Sequence, residues 1–148
     1  MTVVHGCDLP EDLYYLIHRH VWARPLEGGL VRVGLTAVGA KLLGENIGAV
    51  TVSAGKIGRE VRQEESVAIV ESLKFVGPLQ APVGGVLLRG NERLETEPYL
   101  LADDPYGEGW IAELQATAWE TDEGALATGA DGIAAYRALL EAEDISCA

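Results

Sequence analysis

Lys74 stands where a primary amine could do chemistry, in a chain of 148 residues that holds three lysines, Lys41, Lys56 and Lys74. Its setting is Val67-Ala68-Ile69-Val70-Glu71-Ser72-Leu73-Lys74-Phe75-Val76-Gly77-Pro78. An apolar strand enters, a polar pair follows, one lysine stands alone, and Gly-Pro ends the return. An amine held out on a rigid β-turn suits acylation by a ligase, and its long stem adds reach to whatever is attached. Taken alone, the same pattern also fits a lysine that merely keeps an exposed turn solvated. Cys7 and Cys147 are too few and too far apart for a CxxC-type metal site. They admit two readings: ordinary free thiols near the termini, or a redox role that includes a bridge joining the two ends. A standing structural disulfide is disfavoured in the cytosol. His18 and His20 alternate along a strand-like run and could face one way toward a metal, but no third ligand follows at a sensible spacing. Trp22, Trp110 and Trp119 read as core or core-edge aromatics, since basic residues do not interleave with them.

The elements that must position Lys74 are mostly short strands. His20 to Arg24 and Leu30 to Leu35 read as a hairpin pair turned by Glu27, Gly28 and Gly29. Thr36 then reads as the N-cap of a short helix over Ala37 to Leu43, ended by Gly44, with Val38 and Leu42 on one face. Further strands are expected at Ile47 to Val52, Val67 to Glu71, Phe75 to Val76 and Val86 to Leu88. Gly55, Gly58, Gly77 with Pro78, Pro82, and Gly84 with Gly85 mark the turns between them. Glu97 to Tyr106 reads as one helical turn and a loop, and Thr117 to Gly132 as a polar connector. From Asp131 onward Ile133, Tyr136, Leu139 and Leu140 recur at helical spacing, which predicts a terminal amphipathic helix. The fold expected is mainly β, a small sandwich or flattened barrel with a short helix in the first half, forming one domain over residues 1–148.

The chain is 48% hydrophobic and 23% charged, a globular composition. Eleven basic residues against 23 acidic ones leave a net charge of -12, which repels phosphate backbones and anionic lipid heads. Nucleic acid and membrane are therefore poor partners, and basic docking surfaces on other proteins are better ones. The start MTVVHGCDLPEDL lacks a signal-peptide pattern, and no window reaches the 18 or so apolar residues of a membrane span. A cytoplasmic protein is expected.

Glu71-Ser72-Leu73-Lys74 resembles the Glu-Ser-x-Lys lipoylation motif of glycine cleavage system H proteins. His20-Val21-Trp22 looks like that family's His-x-Trp, and Val33-Gly34-Leu35-Thr36 like its Val-Gly-[Ile/Leu]-Thr. Ala81-Pro82-Val83-Gly84-Gly85 with the later Asn91, then Glu97-Pro98, then Asp104-Pro105-Tyr106-Gly107-Glu108-Gly109-Trp110, continue the match in order. Each match is weak alone; together they run from about Leu13 to Leu140. The residues beside the lysine do not resemble biotin carriers, which place methionine on both sides where Leu73 and Phe75 stand. Nor do they resemble acyltransferase-linked lipoyl domains, which more often carry Asp-Lys-Ala.

The resemblance implies a carrier and not an enzyme, with a lipoic acid amide on Lys74 as a swinging arm. It implies lipoate-protein ligase as a partner, Glu71 and Ser72 serving ligase recognition and turn geometry, and Leu73 and Phe75 flanking the attachment point. The Asp104–Trp110 segment would line or support the surface on which a loaded arm rests. Glycine cleavage partners would be glycine decarboxylase, aminomethyltransferase and dihydrolipoyl dehydrogenase, and the family precedent is a monomer. Departures from that pattern exist: Phe75-Val76-Gly77-Pro78 replaces small residues, Glu64 and Ala68 replace glycines, and Val21 replaces an acidic residue. The Gly6-Cys7 start and the aromatic-Val-Gly-Pro sequence look more like H-related lipoate-binding proteins that accompany the heterodisulfide-reductase-like complex of sulfur oxidation. In that case the arm would carry sulfur or electrons, and Cys7 or Cys147 could form a mixed disulfide with the reduced lipoyl arm.

Overall fold

Alternation along the strands decides the layers. In Val21–Pro25, Val21 and Ala23 point into one core while Trp22 points into another, so this strand is covered on both faces. The computed structural model describes residues 2–148. Strands β1 (Thr2–Val4) and β2 (Cys7–Leu9) form a small hairpin, followed by β3 (Tyr14–Leu16), β4 (Val21–Pro25) and β5 (Leu30–Leu35). Helix α1 (Ala37–Leu43) leads to β6 (Ile47–Val52), β7 (Glu60–Val61), β8 (Ser66–Ser72), β9 (Val76–Gln80) and β10 (Gly85–Gly90). Two short helices, α2 (Arg93–Thr96) and α3 (Leu100–Asp103), precede β11 (Ala112–Ala116). The described chain closes with α4 (Trp119–Asp122), β12 (Ala127–Thr128) and α5 (Gly129–Ala142).

A seven-stranded sheet in the order β12-β3-β4-β5-β11-β10-β7 faces a three-stranded sheet, β6-β8-β9. Neither closes into a barrel, so the expected mainly β sandwich is present in its open form, with the terminal helix alongside. Between the sheets lie Val31, Val33, Val50, Val67, Leu79, Leu87 and Leu114. On the other face of the large sheet, Tyr15, Trp22, Val38, Ile133, Tyr136 and Leu140 build a second core beneath α5 and the N-terminal hairpin. Burying these large side chains contributes about 1.5–3 kcal/mol each before conformational entropy is subtracted.

Helix α1 has the expected bounds, with the Thr36 Oγ1 accepting from Gly39 N at 3.2 Å. Its buried face differs from expectation: Leu42 is 43% exposed, while Val38 enters the second core and Ala40 and Leu43 enter the first. A helix wedged at the sandwich edge has two partners, so its buried residues do not follow one stripe. The hairpin turn at Glu27–Gly29 is as expected, with Gly28 at φ 70 and Gly29 at φ 79.

Other expectations are corrected. His18 lies in a 3-10 turn over Ile17–Arg19 and His20 caps it at φ 58, so the two histidines do not alternate on a strand. Gly77 and Pro78 do not end the return strand; β9 runs through them, with Pro78 opposite Ile69. Proline is tolerated because β9 is an edge strand, where a missing N–H breaks no inner ladder. The Thr117 to Gly132 connector contains α4, β12 and the first residues of α5. Cys7 and Cys147 are not free thiols: they form a disulfide with Cα atoms 5.0 Å apart, closing 140 residues of sequence separation. The reason is local, because the tail returns to the N-terminal hairpin, where Cys147 N donates to His5 O at 2.9 Å.

Candidate functional site

The β8–β9 hairpin carries Lys74 at its tip. Ser72 N donates to Phe75 O at 2.8 Å, closing a tight turn over Leu73 and Lys74. The Ser72 hydroxyl organises that turn from inside. Its Oγ accepts from Lys74 N at 3.3 Å and Phe75 N at 3.1 Å, and donates to Leu43 O at 2.6 Å. One side chain thus satisfies two turn amides and fastens the turn to the last residue of α1. Glu71 precedes it on the strand, exposed and opposite Val76.

Lys74 is exposed, and among the described residues no carboxylate lies within ion-pair distance of its Nζ. Its stem lies along Gly44 (φ 83): a Cβ there would meet Lys74 Cδ at 3.4 Å. Leu73 is 87% exposed, Phe75 53% and Val76 62%, so the amine rises from an apolar collar. The Phe75 ring lies over Gly77, where a Cβ would come within 2.6 Å of it.

Beside Phe75 a groove of about 200 Å³ runs between α1 and the start of β4, lined by His18, Arg19, His20, Leu42 and Pro78. Its rim carries basic groups on an acidic protein. Glu64 anchors them, accepting from Arg19 Nε at 3.2 Å and lying 2.9 Å from His18 Nε2. The bonds to His18 and then Arg19 hold its carboxyl below the usual range. Glu64 sits at φ 68, a conformation that favours glycine. At His20, burial lowers the imidazole pKa, His18 adds to the effect and Glu143 opposes it. His20 Nδ1 is 2.6 Å from the Tyr136 hydroxyl, which in turn lies 2.9 Å from Thr36 Oγ1.

The sequence-derived residues Glu71, Ser72, Leu73, Lys74 and Phe75 are therefore brought together, whereas Cys7 and Cys147 lie at the other end of α1. The Asp104–Trp110 segment does not line the groove beside Phe75. It braces α1 from its N-terminal end, with Tyr106 Oη accepting from Ala37 N at 2.9 Å and Trp22 Nε1 donating to Pro105 O at 3.0 Å. Burial pushes the Tyr106 phenol pKa up. Among the described residues no group of three His, Cys, Asp or Glu could hold a metal. Arginines do meet the tryptophans in space: Arg32 stacks on Trp110, distant in sequence, at 4.7 Å, and Arg24 on Trp22, two residues away, at 5.1 Å. Sequence reasoning missed the role of Leu43, whose carbonyl fastens the turn from another element and carries no local signal.

The family model described as Glycine cleavage H-protein matches residues 13–138. The chain is 38% identical to glycine cleavage system H protein 2 of Aquifex aeolicus over 142 residues, covering 96% of this chain and 86% of the relative. It is 43% identical over 108 residues to the glycine cleavage system H protein of Thermus thermophilus, covering 73% of this chain and 80% of that one. The crystal structure of a glycine cleavage system H protein from Mycobacterium marinum superposes with a TM-score of 0.66 at 35% identity, covering 74% of this chain and 87% of that one. The chain belongs to the glycine cleavage H-protein family, whose members are lipoyl carriers and not enzymes, with lipoate covalently attached to a lysine.

Proposed function

We propose that this member of the glycine cleavage H-protein family bears its lipoate in amide linkage on Lys74 and acts as one carrier unit over residues 1–148. The observation that carries the assignment is the lysine itself, exposed and unpaired at the tip of a turn that Ser72 holds rigid. Lys41 and Lys56 suit the role less well. Lys41 belongs to α1, and Lys56 Nζ is tied to Ser66 O at 2.7 Å and Glu65 at 3.1 Å. The chain supplies attachment, orientation and docking: Ser72 fixes the turn, Glu71 and the apolar collar of Leu73 and Phe75 offer a surface to a lipoate-protein ligase, and the groove beside Phe75 offers shelter. The attached group supplies thiol–disulfide chemistry, its two sulfurs opening to accept a group and closing on reoxidation.

For the pathway, the favoured reading is transfer of sulfur-bound intermediates or electrons in cytoplasmic sulfur oxidation, with a heterodisulfide-reductase-like complex as partner. Phe75-Val76-Gly77-Pro78 and the Gly6-Cys7 start support it. Phe75 enlarges the collar where family members usually have small residues, and changes what a docking enzyme meets. The second reading is an aminomethyl carrier serving glycine decarboxylase and aminomethyltransferase, and the names of the relatives favour it. No helix among the described residues is long and apolar enough to cross a membrane.

Intact mass of protein purified from its native host tests the attachment. A lipoyl-sized increment is expected in the wild type and absent from Lys74→Ala. Bare mass in both would replace the carrier with an unlipoylated adaptor. Co-purification with reductase-like subunits or with glycine decarboxylase then separates the two pathways.

A further inference from the structure

One groove runs from Cys147 of the disulfide to Gly44, beside which the Lys74 stem lies. Its volume is about 350 Å³, and Ala37, Ala40, Lys41 and Gly44 form its wall. Those positions follow the i, i+3, i+4, i+7 pattern of one helix face, so the groove runs along α1. At one end Cys147 lines it, with Sγ 3.9 Å from Ala37 O. At the other end lies Gly44, where an added Cβ would meet Lys74 Cδ at 3.4 Å. Seven helical residues span about 10 Å. Beyond Cδ, the stem atom nearest Gly44, an extended lipoyl-lysine has about nine bonds to sulfur, roughly 11 Å at some 1.2 Å per bond. The arm is long enough to lie along α1 and bring its sulfurs to Cys147.

We propose that the Cys7–Cys147 disulfide is a redox centre that accepts two electrons from the reduced arm on Lys74, an inference that rests on the lipoyl reading of that residue. Cys147 Sγ, partly exposed in the groove, is the sulfur attacked, and Cys7, fully buried, is the leaving group. When an arm thiolate bonds to Cys147 Sγ, the Cys7–Cys147 bond breaks and Cys7 leaves as a thiolate that takes up a proton. The second arm sulfur then displaces Cys147, which leaves as a thiolate and is protonated in turn. The arm has lost two electrons and two protons to form its ring, and Cys7 and Cys147 have gained them as two thiols. Lys41 brings one positive charge to the groove wall, and Asp8 and Glu45 bring two negative ones that oppose it. The carrier would thereby hold a second pair of electrons away from its swinging arm.

The test begins with protein whose lipoyl increment has been read by intact mass. It then receives one equivalent of tris(carboxyethyl)phosphine without oxygen, followed by iodoacetamide and peptide mapping. Alkylation is expected on Cys7 and Cys147 with the arm closed, at least about tenfold faster than in Lys74→Ala treated identically, and independent of protein concentration. Label on the arm sulfurs with Cys7 and Cys147 still joined overturns the inference. So does equal cysteine labelling in Lys74→Ala, which would mean direct attack by the phosphine. Absence of the mass increment defeats the assignment of Lys74 itself, and is recorded before any reductant is added. Because both decisive readings come from proteins with intact cysteines, neither depends on a cysteine variant folding.

Discussion

His20 joins the left-handed cap of a 3-10 turn to a buried hydrogen-bond chain, since its Nδ1 meets Tyr136 and Tyr136 meets Thr36. Burial keeps this imidazole neutral and lowers its pKa from the ordinary value near 6.5. Between that ordinary value and the lower folded one, the unfolded chain binds the extra proton and the folded chain does not. Stability is therefore fully present above about pH 6.5 and declines as the pH falls below it. The slope can be no steeper than about 1.4 kcal/mol per pH unit, the equivalent of one proton. Thermal midpoints measured from pH 7.5 to 5.5 should fall in the wild type and fall less in His20→Gln. The lowered carboxylates Glu64, Glu65 and Glu97 respond only at more acidic pH.

The Lys74 turn and helix α1 are joined through Ser72 alone among the polar side chains of the turn. Removing its hydroxyl leaves Leu43 O and two turn amides to find water, and each such loss costs about 1 kcal/mol net. Ser72→Ala is expected to lower stability by about 1–2 kcal/mol, because the turn is exposed enough for water to replace part of what is lost. The larger consequence is positional. With the turn no longer fastened to α1, lipoylation by a cognate ligase should slow several-fold, measured as the rate of mass increment, while Glu71→Gln leaves the turn geometry intact. An unchanged rate in Ser72→Ala would mean that the ligase depends neither on this hydroxyl nor on the fastening of the turn to α1.

Two cores on opposite faces of the large sheet make the molecule a three-layer assembly, and the second of these cores joins the chain's two ends. The Cys7–Cys147 bond closes that layer covalently. Loss of a native disulfide typically costs about 2–5 kcal/mol. For a chain of this size that lowers the thermal midpoint by roughly 5–15 °C. Differential scanning of oxidised protein, reduced protein and Cys147→Ser should place the last two together, well below the first. Equal midpoints would mean that the hydrophobic layer beneath α5 holds the ends without help. The charge of -12 acts at the same scale, drawing basic surfaces toward a carrier whose groove rim is itself lined by His18, Arg19 and His20.

Much was legible in the residues because it is local. The apolar run of Ile47–Val52, the Thr36 cap and Gly44 stop around α1, the glycine turn after β4 and the spacing of Ile133, Tyr136 and Leu140 all act within one or two turns of chain. The Glu71–Lys74 motif, read with its neighbours in order, pointed to the family for the same reason. Strand β11 was not legible: Ala112–Ala116 carries Glu113 in a buried position, which is stable only because Arg32 and Arg89 reach it from adjoining strands. Nor could local pattern show that β9 passes through Pro78, since that depends on its place at the sheet edge. The pairing of Cys7 with Cys147, and the groove that runs from Cys147 to Gly44, depend on residues far apart in the chain meeting around α1. Sequence by itself determined the capped helix α1, the terminal helix, the longer strands of the middle of the chain and the Lys74 turn; only tertiary packing decided the remaining strands and which distant groups share a surface, because that is set by how the layers stack.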